Sequence, residues 1–314
     1  DTSSVGNVLG DVLIKTEEVL LKERPDAFLV LGDTNSSVSA IMAKRMRIPV
    51  YHMEAGNRCF DLNVPEETNR RMVDHISDFN LVYTEHARRN LLAEGLHPRK
   101  ILKTGSPMRE VLDAYQEQIR SSTILSETGL EEGGYFLVSA HREENVDSPV
   151  RLRMLLDCLT AVNSEFALPV YVSTHPRTRK RLMDLPDWRQ PEGIVFSEPL
   201  GFHDYNRLQL SAACCLSDSG TIAEESSILG FPAVTLRDSI ERPEALDTGS
   251  ILMTGLHAED VVSATRIAMS AAHSRSGVCA TTPEDYMIEN VSERTVNFIV
   301  STVNRLHQWD GIRG

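Results

Sequence analysis

The 314-residue chain lacks any apolar run of about 18 residues, the minimum for an ordinary membrane-spanning helix. No membrane partner is therefore expected. No secretory leader is visible at its start. Cysteine is sparse and unpatterned: Cys59, Cys158, Cys214, Cys215 and Cys279 make an odd count of five, with no CxxC and no finger spacing. That pattern predicts reduced thiols and a cytoplasmic location. Basic residues are outnumbered, 32 Lys and Arg against 45 Asp and Glu, for a net charge of −13. A general nucleic-acid binder is thereby excluded, because phosphate backbones are held by basic surfaces. A small anion is not excluded, since a helix N-terminus and a few placed arginines can hold one inside an acidic protein. GxGxxG is absent, so no dinucleotide cofactor is indicated; GxSxG is absent too. HxxxH, HExxH and DxDxD are all missing, and neither a metal nor any other cofactor is expected.

What is present is ordinary in bulk and strongly patterned. The chain is 41% hydrophobic and 25% charged, normal for one large or two ordinary domains with sizeable cores. Short apolar runs alternate with helical patterns. Candidate strands are "AFLVLGD", "IPVYHME", "FNLVYTE" and "KILKTGS", then "YFLVSAH", "LPVYVST", "GIVFSEP", "ACCLSDS", "PAVTLRD" and "SILMTG". Amphipathic stretches such as "SPVRLRMLLDCLTAVNSEF" lie between them. This alternation predicts an α/β fold with parallel sheets. The polar, glycine-containing "SSTILSETGLEEGGY" predicts an inter-domain linker near residues 120–134. The chain opens at Asp1 on a helix that feeds a strand, which predicts a preceding N-terminal piece. "ENVSERTVNFIVSTVNRLHQWD" is read as a closing helix with no strand after it.

Polar residues follow the strands: Asp33, Glu54, Glu85, His141, His175 and Ser219. Ligands in open α/β sheets bind beyond the carboxyl ends of strands, so these positions are the first place to look for chemistry. In "SDSGTIAEESSILG" a strand ends and Ser219-Gly220-Thr221 opens a helix. Free N–H groups and the helix dipole there suit a phosphate, and Glu224 or Glu225 could accept from ribose hydroxyls. An ordinary capped helix reads the same way. Arg242, just before a proline, could reach a diphosphate held by that helix start, or could sit on a surface turn. "SAHREENVDSP" sets His141, Arg142, Glu143 and Glu144 at a strand end, and His is the side chain best poised for proton transfer near neutrality. "STHPRTRKRL" places His175 and Arg177 equivalently. Asp33, Glu54, Glu66 and Glu67 form a carboxylate cluster if their loops converge, although Asp33 could serve only as a cap.

In order and spacing, "LGDTNSS", "HMEAGNR", "PEETNRR", "TGSP", "SAHREEN", "DSGTIAEE" and "LGFPAVTLRDSIERPEA" resemble the non-hydrolysing UDP-N-acetylglucosamine 2-epimerase family, from about residue 10 to 305. The resemblance implies a GT-B architecture of two Rossmann-like domains with the active site in a cleft. It implies a first domain of residues 1–122, truncated at its N-terminus and completed by the C-terminal helix 286–314. The UDP-binding second domain is then 123–285. It implies catalytic roles for Asp33, Glu54, Glu66 and His141, and substrate or UDP contacts from Arg58, Arg142, His175, Ser219, Gly220, Glu225 and Arg242. The implied reaction is inversion at C2 by elimination of UDP and re-addition, without a cofactor, by a homodimer. Two features depart from the family pattern: its opening "GTRPE"-like loop is missing, and its "SGG" reads Ser219-Gly220-Thr221. Asn57, where the UDP-GlcNAc branch more often has Leu, draws the segment toward the branch acting on UDP-2-acetamido-2,6-dideoxy-L-talose. A GT-B glycosyltransferase, a hydrolysing epimerase and a non-catalytic nucleotide-sugar binding protein remain alternatives, because fold does not fix function.

Overall fold

The computed structural model describes residues 4–186, 188–273 and 282–311. It divides into two compact units, Asp1–Pro107 with Glu284–Gly314, and Met108–Pro283.

In the first unit a helix, Val5–Glu23, starts where the Ser4 hydroxyl accepts from Asn7 N and stops at Arg24 in the left-handed region. The chain then lays down β1 (Phe28–Leu31), β2 (Val50–Met53), β3 (Phe79–Val82) and β4 (Ile101–Lys103). All pair in parallel in the order β1-β2-β3-β4. β2 and β3 are buried along their whole length, as expected of strands covered on both faces. Side chains alternate across the pleat. Val30 and Val50 pack with Leu20, Ala40, Ala43 and Val73. On the opposite face Tyr51, Met53, Phe79 and Leu81 pack with Leu306 and Phe298. Tyr51 stacks on Phe79 at 5.1 Å between centroids, Phe298 meets Phe79 edge-on at 5.2 Å, and the Tyr51 hydroxyl lies 2.8 Å from that of Thr302. The closing segment is two helices, Val291–Thr302 and Leu306–Trp309, rather than the one that the sequence suggests.

The second unit holds β5 (Phe136–Ser139), β6 (Val170–Ser173), β7 (Ile194–Ser197), β8 (Cys214–Ser217), β9 (Ala233–Thr235) and β10 (Leu252–Met253). The order is β10-β9-β8-β5-β6-β7, all parallel. From β5 the sheet grows one way through β6 and β7; from β8 it grows the other way through β9 and β10. The reversal makes the β5–β8 boundary a topological switch point, where helices leave to opposite faces and open a crevice at the strand ends. One face packs Phe136, Val138, Leu216 and Val234 against Leu152, Leu155, Leu159 and Val261; the other packs Tyr135, Leu137 and Cys215 against Leu208, Ile222 and Phe231.

All ten strand expectations coincide with observed strands. The join between the compact units lies at Pro107/Met108, before the 122/123 boundary that the resemblance implies. Helices Met108–Ala114 and Gln116–Ser121 pack on Ile222–Leu229 and Phe202–Ser211 of the second unit, so the polar stretch after them is a lead-in to β5. Cys59, Cys158, Cys214 and Cys215 are free and buried; Cys279 lies outside the described residues. No described helix is long and apolar enough to cross a membrane, and the described residues contain no metal-ready group of His, Cys, Asp and Glu.

Candidate active site

In the first unit the ends of β1 and β2 approach closely. A Cβ on Gly32, which has φ +72°, would stand 3.4 Å from Glu54 Oε2. Glu54 itself sits at φ 66°, a left-handed backbone that costs a non-glycine residue energy and persists where surroundings impose it. The imposing structure is a buried polar network. His52 is fully buried, with Nδ1 2.8 Å from Asp74 Oδ1 and Nε2 2.9 Å from the Gly32 carbonyl. Asp74 also accepts from the Gly56 N–H and, at 2.7 Å, from Arg58 Nη1. Gly56 cannot be replaced cheaply: at φ +81°, its Cβ would meet the Ala87 carbonyl oxygen at 2.4 Å. The turn that carries Glu54 is thus fixed from below, and Asn57 Nδ2 donates to Glu54 Oε1 at 3.3 Å.

Asp33 accepts from Arg70 Nε at 2.9 Å and lies 2.7 Å from its Nη2, while Asn69 Nδ2 donates to the Asp33 carbonyl. Glu66 is half-buried in the first turn of the helix Pro65–Ile76, and Glu67 beside it is fully buried. The two neighbours therefore differ in kind. Glu67 accepts from Cys59 N, Arg70 and Arg71. Burial pushes its carboxyl up, but these donors outweigh burial and hold it below the usual range. Glu67 ties the loop to the helix; Glu66 is left for other work.

Arg58, expected as a substrate contact, has a completely buried side chain. Its guanidinium donates to Asp74, to the Asn57 carbonyl and, at 2.8 and 2.6 Å, to both oxygens of Glu94. Those bonds, with His75 and Arg71 adding to them, hold the Glu94 carboxyl at about 2. Arg58 belongs to the scaffold under Glu54.

In the second unit the switch point carries the remaining residues. His141 and Arg142 follow β5; Asp218, Ser219 and Gly220 follow β8. The fully buried Asp218 carboxylate accepts from the N–H groups of His141 and Arg142 at 3.0 Å each and from Asn145 Nδ2 at 3.1 Å. It locks the two loops together and leaves His141 Nδ1 3.7 Å away. The His141 and His175 rings lie 5.7 Å apart. His175 Nδ1 accepts from Arg177 N and caps the helix Pro176–Met183. Burial, then the neighbouring His141 and Arg177, lowers its pKa, which keeps the capping lone pair available.

The decisive geometry surrounds Gly220. A Cβ there would meet Arg242 Nη1 at 2.7 Å and Arg142 Nη2 at 3.3 Å. Two guanidinium groups from separate loops thus converge on the start of the helix Ile222–Leu229, where the dipole is positive. Arg242 is oriented by Glu224, 3.0 Å from its Nε. Arg142 lies 3.6 Å from Glu241, which also binds Arg237 at 2.6 and 2.9 Å. Ser219, Gly220, Arg237, Glu241 and Arg242 line one hollow. Glu225 lies within the same helix, largely buried. Burial raises its pKa against the opposing pull of Gln209, Thr221 and Arg242.

Sequence reasoning did not single out Asp74, Asp218 or Gln209. Asp218 had a signal, since it ends the same "CLSD" that marks Ser219. Asp74 and Gln209 are interior to helices and gain meaning only from partners far away in sequence.

Parallel α/β units with polar groups at their strand ends define the Rossmann-like architecture of the GT-B class. Residues 1–300 match the sequence profile of the UDP-N-acetylglucosamine 2-epimerase family, and the chain belongs to that family of isomerases. It is similar to the solved UDP-N-acetylglucosamine 2-epimerase of Rickettsia bellii, at 44% identity and TM-score 0.88 over 96% of this chain and 80% of that one. It is similar to the Methanocaldococcus jannaschii UDP-GlcNAc 2-epimerase solved with UDP-GlcNAc and UDP, at 33% identity and TM-score 0.87 over 95% and 82%. A third relative is the UDP-2,3-diacetamido-2,3-dideoxy-D-glucuronate 2-epimerase of Pseudomonas aeruginosa, 33% identical over 84% of this chain and 73% of that one.

Proposed function

We propose that the chain inverts C2 of a UDP-N-acetylhexosamine by eliminating UDP and adding it back. The C2 hydrogen has no neighbouring carbonyl to acidify it, so direct deprotonation and reprotonation is slow. Loss of UDP solves this: a base takes the C2 proton, the C1–O bond breaks with its electrons leaving on UDP, and a C1=C2 double bond forms. The resulting 2-acetamidoglycal receives a proton on the opposite face of C2, and the UDP oxygen re-forms the bond to C1. Nothing is oxidised or reduced overall, and no cofactor is required.

The observation that carries this reading is the convergence of Arg142 and Arg242 on Gly220. A departing diphosphate develops charge, and preorganised donors aimed at that charge stabilise the transition state. Gly220 offers a backbone donor at the helix start, the Ser219 N–H being held by Ser217 Oγ at 3.0 Å, and Glu225 offers an acceptor for ribose. His175 stands beside His141 at the same edge. Asp33, Glu54 and Glu66 supply the acid and the base for the two faces of C2, with His141 as a further proton-transfer group. The strained, braced backbone at Glu54 suits a carboxylate that must hold its direction.

The substrate within this reading is UDP-GlcNAc, giving UDP-ManNAc, or UDP-2-acetamido-2,6-dideoxy-L-talose, giving UDP-N-acetyl-L-fucosamine. The resemblance favours the second at Asn57, where the UDP-GlcNAc branch more often has Leu. The product would feed capsule or O-antigen polysaccharide, made by a cytoplasmic homodimer. The test is proton NMR in D₂O with each sugar nucleotide. Deuterium entering C2 while the second epimer appears is the expected result. Release of UDP without an epimer would replace this reading with hydrolysis. Turnover unchanged in Glu54→Gln and His141→Ala would remove both residues from the mechanism.

A further inference from the structure

Gln209 is fully buried in the helix Phe202–Ser211. Its Nε2 donates to Glu225 Oε2 at 2.6 Å. A carboxylate can only accept, so the amide must present its nitrogen to Glu225 and turn its oxygen away. That oxygen, Oε1, is buried without a hydrogen-bond partner among the described residues. An orphaned buried acceptor is destabilising, and a methionine of similar volume would avoid it. The amide is therefore poorly explained by stability. What it does achieve is specific: Glu225 is held by a charge-assisted bond from Gln209, with Thr221 adding a hydrogen bond and Arg242 attraction. Without that bond, a carboxylate in so dry a place would be pushed further toward its neutral form, losing acceptor capacity and direction together.

We propose that Gln209 is the positioning residue for ribose recognition, fixing Glu225 so that it accepts from the ribose hydroxyls and makes the site require a ribonucleotide. The proposal rests on the reading of Glu225 as a ribose acceptor in a UDP site. A carboxylate that is fixed in place loses no freedom when the hydroxyls arrive, and so discriminates more sharply than one that must be ordered by the ligand. Gln209 touches no ligand in this scheme. Its effect is transmitted only through Glu225.

The experiment is calorimetric titration of the full chain with UDP and with 2′,3′-dideoxy-UDP. The variants are Gln209→Met, Glu225→Gln and the two combined. The wild-type protein should bind UDP more tightly than the dideoxy nucleotide. Gln209→Met should weaken UDP about tenfold, the weight of one hydrogen bond to a charged group, and leave dideoxy-UDP unchanged. On the Glu225→Gln background it should have no further effect, a non-additivity that general loosening of the fold would not produce. Equal weakening of both nucleotides by Gln209→Met, or no weakening, overturns the proposal. If Glu225→Gln itself leaves the discrimination intact, the underlying ribose reading fails instead. Should Gln209→Met not fold, Gln209→Asn withdraws the same donor by one methylene and is read in the same way.

Discussion

Replacing Gly220 with alanine separates binding from folding more cleanly than any other single change at the switch point. Gly220 lies outside the left-handed region, so alanine fits its backbone. Its entry into a helix start reduces the freedom of the unfolded chain, a gain of about 0.4–1 kcal/mol where no strain opposes it. The new methyl, however, would stand 2.7 Å from Arg242 Nη1 and 3.3 Å from Arg142 Nη2. Both atoms are ends of flexible side chains, so the guanidinium groups swing away and the fold survives. The cost falls on the anion. A hydrogen bond to a charged group contributes about 1.5–3 kcal/mol, so displacing one arginine weakens UDP by about 10- to 150-fold, with a larger loss if both move. Titration calorimetry with UDP and with uridine distinguishes the cause, since uridine lacks the diphosphate. The expected outcome is a large loss for UDP, none for uridine, and a midpoint of urea unfolding close to wild type, the loosened Arg242–Glu224 pair offsetting the gain. UDP affinity preserved in Gly220→Ala would refute the placement of the diphosphate, and a large drop in stability would refute the claim that only arginine tips are displaced.

Two further predictions concern the scaffold beneath Glu54. Asp74→Asn removes one of the two countercharges of a fully buried Arg58 and leaves a single amide oxygen to serve His52, Gly56 and Arg58. Breaking a buried pair from one side costs about 3–5 kcal/mol, measurable as a lower urea midpoint at unchanged slope. The second concerns pH. Arg58 first, then His75 and Arg71, depress Glu94 from an ordinary 4.5 to about 2. A depressed carboxylate contributes stability that is complete above the unfolded value and is lost as pH falls through the folded one. Stability should therefore decline between about pH 4.5 and pH 2, and Glu94→Gln should be less stable at neutrality and flatter across that window.

The strands were legible because parallel, doubly covered strands are short continuous apolar runs, and such runs do not depend on distant partners. "VYHM" and "CCLS" declare themselves locally. The strand-end positions of Asp33, Glu54, His141 and Ser219 followed from the same signal. Direction and commitment of side chains did not. Arg58 looks like a ligand contact in "HMEAGNR", yet the carboxylates that claim it lie in two later helices. Glu66 and Glu67 are adjacent and chemically alike, and only helix phase turns one of them into the interior. Residues 108–121 look like the end of the first unit because helices carry no mark of which sheet they will cover.

The division of the chain between the units has a consequence for synthesis. The second unit is one continuous stretch, complete once Pro283 has been made. The first is not: its sheet waits for Phe298 and Leu306 to cover Tyr51 and Phe79. On the ribosome, the half that carries Gly220 and its two arginines can therefore fold while its elder sibling still shows an aromatic face to water. Such exposed surface invites aggregation and chaperones. A message cut after the codon for Pro283 would lose no residue of the switch point, and would still yield a chain whose first-made half cannot close.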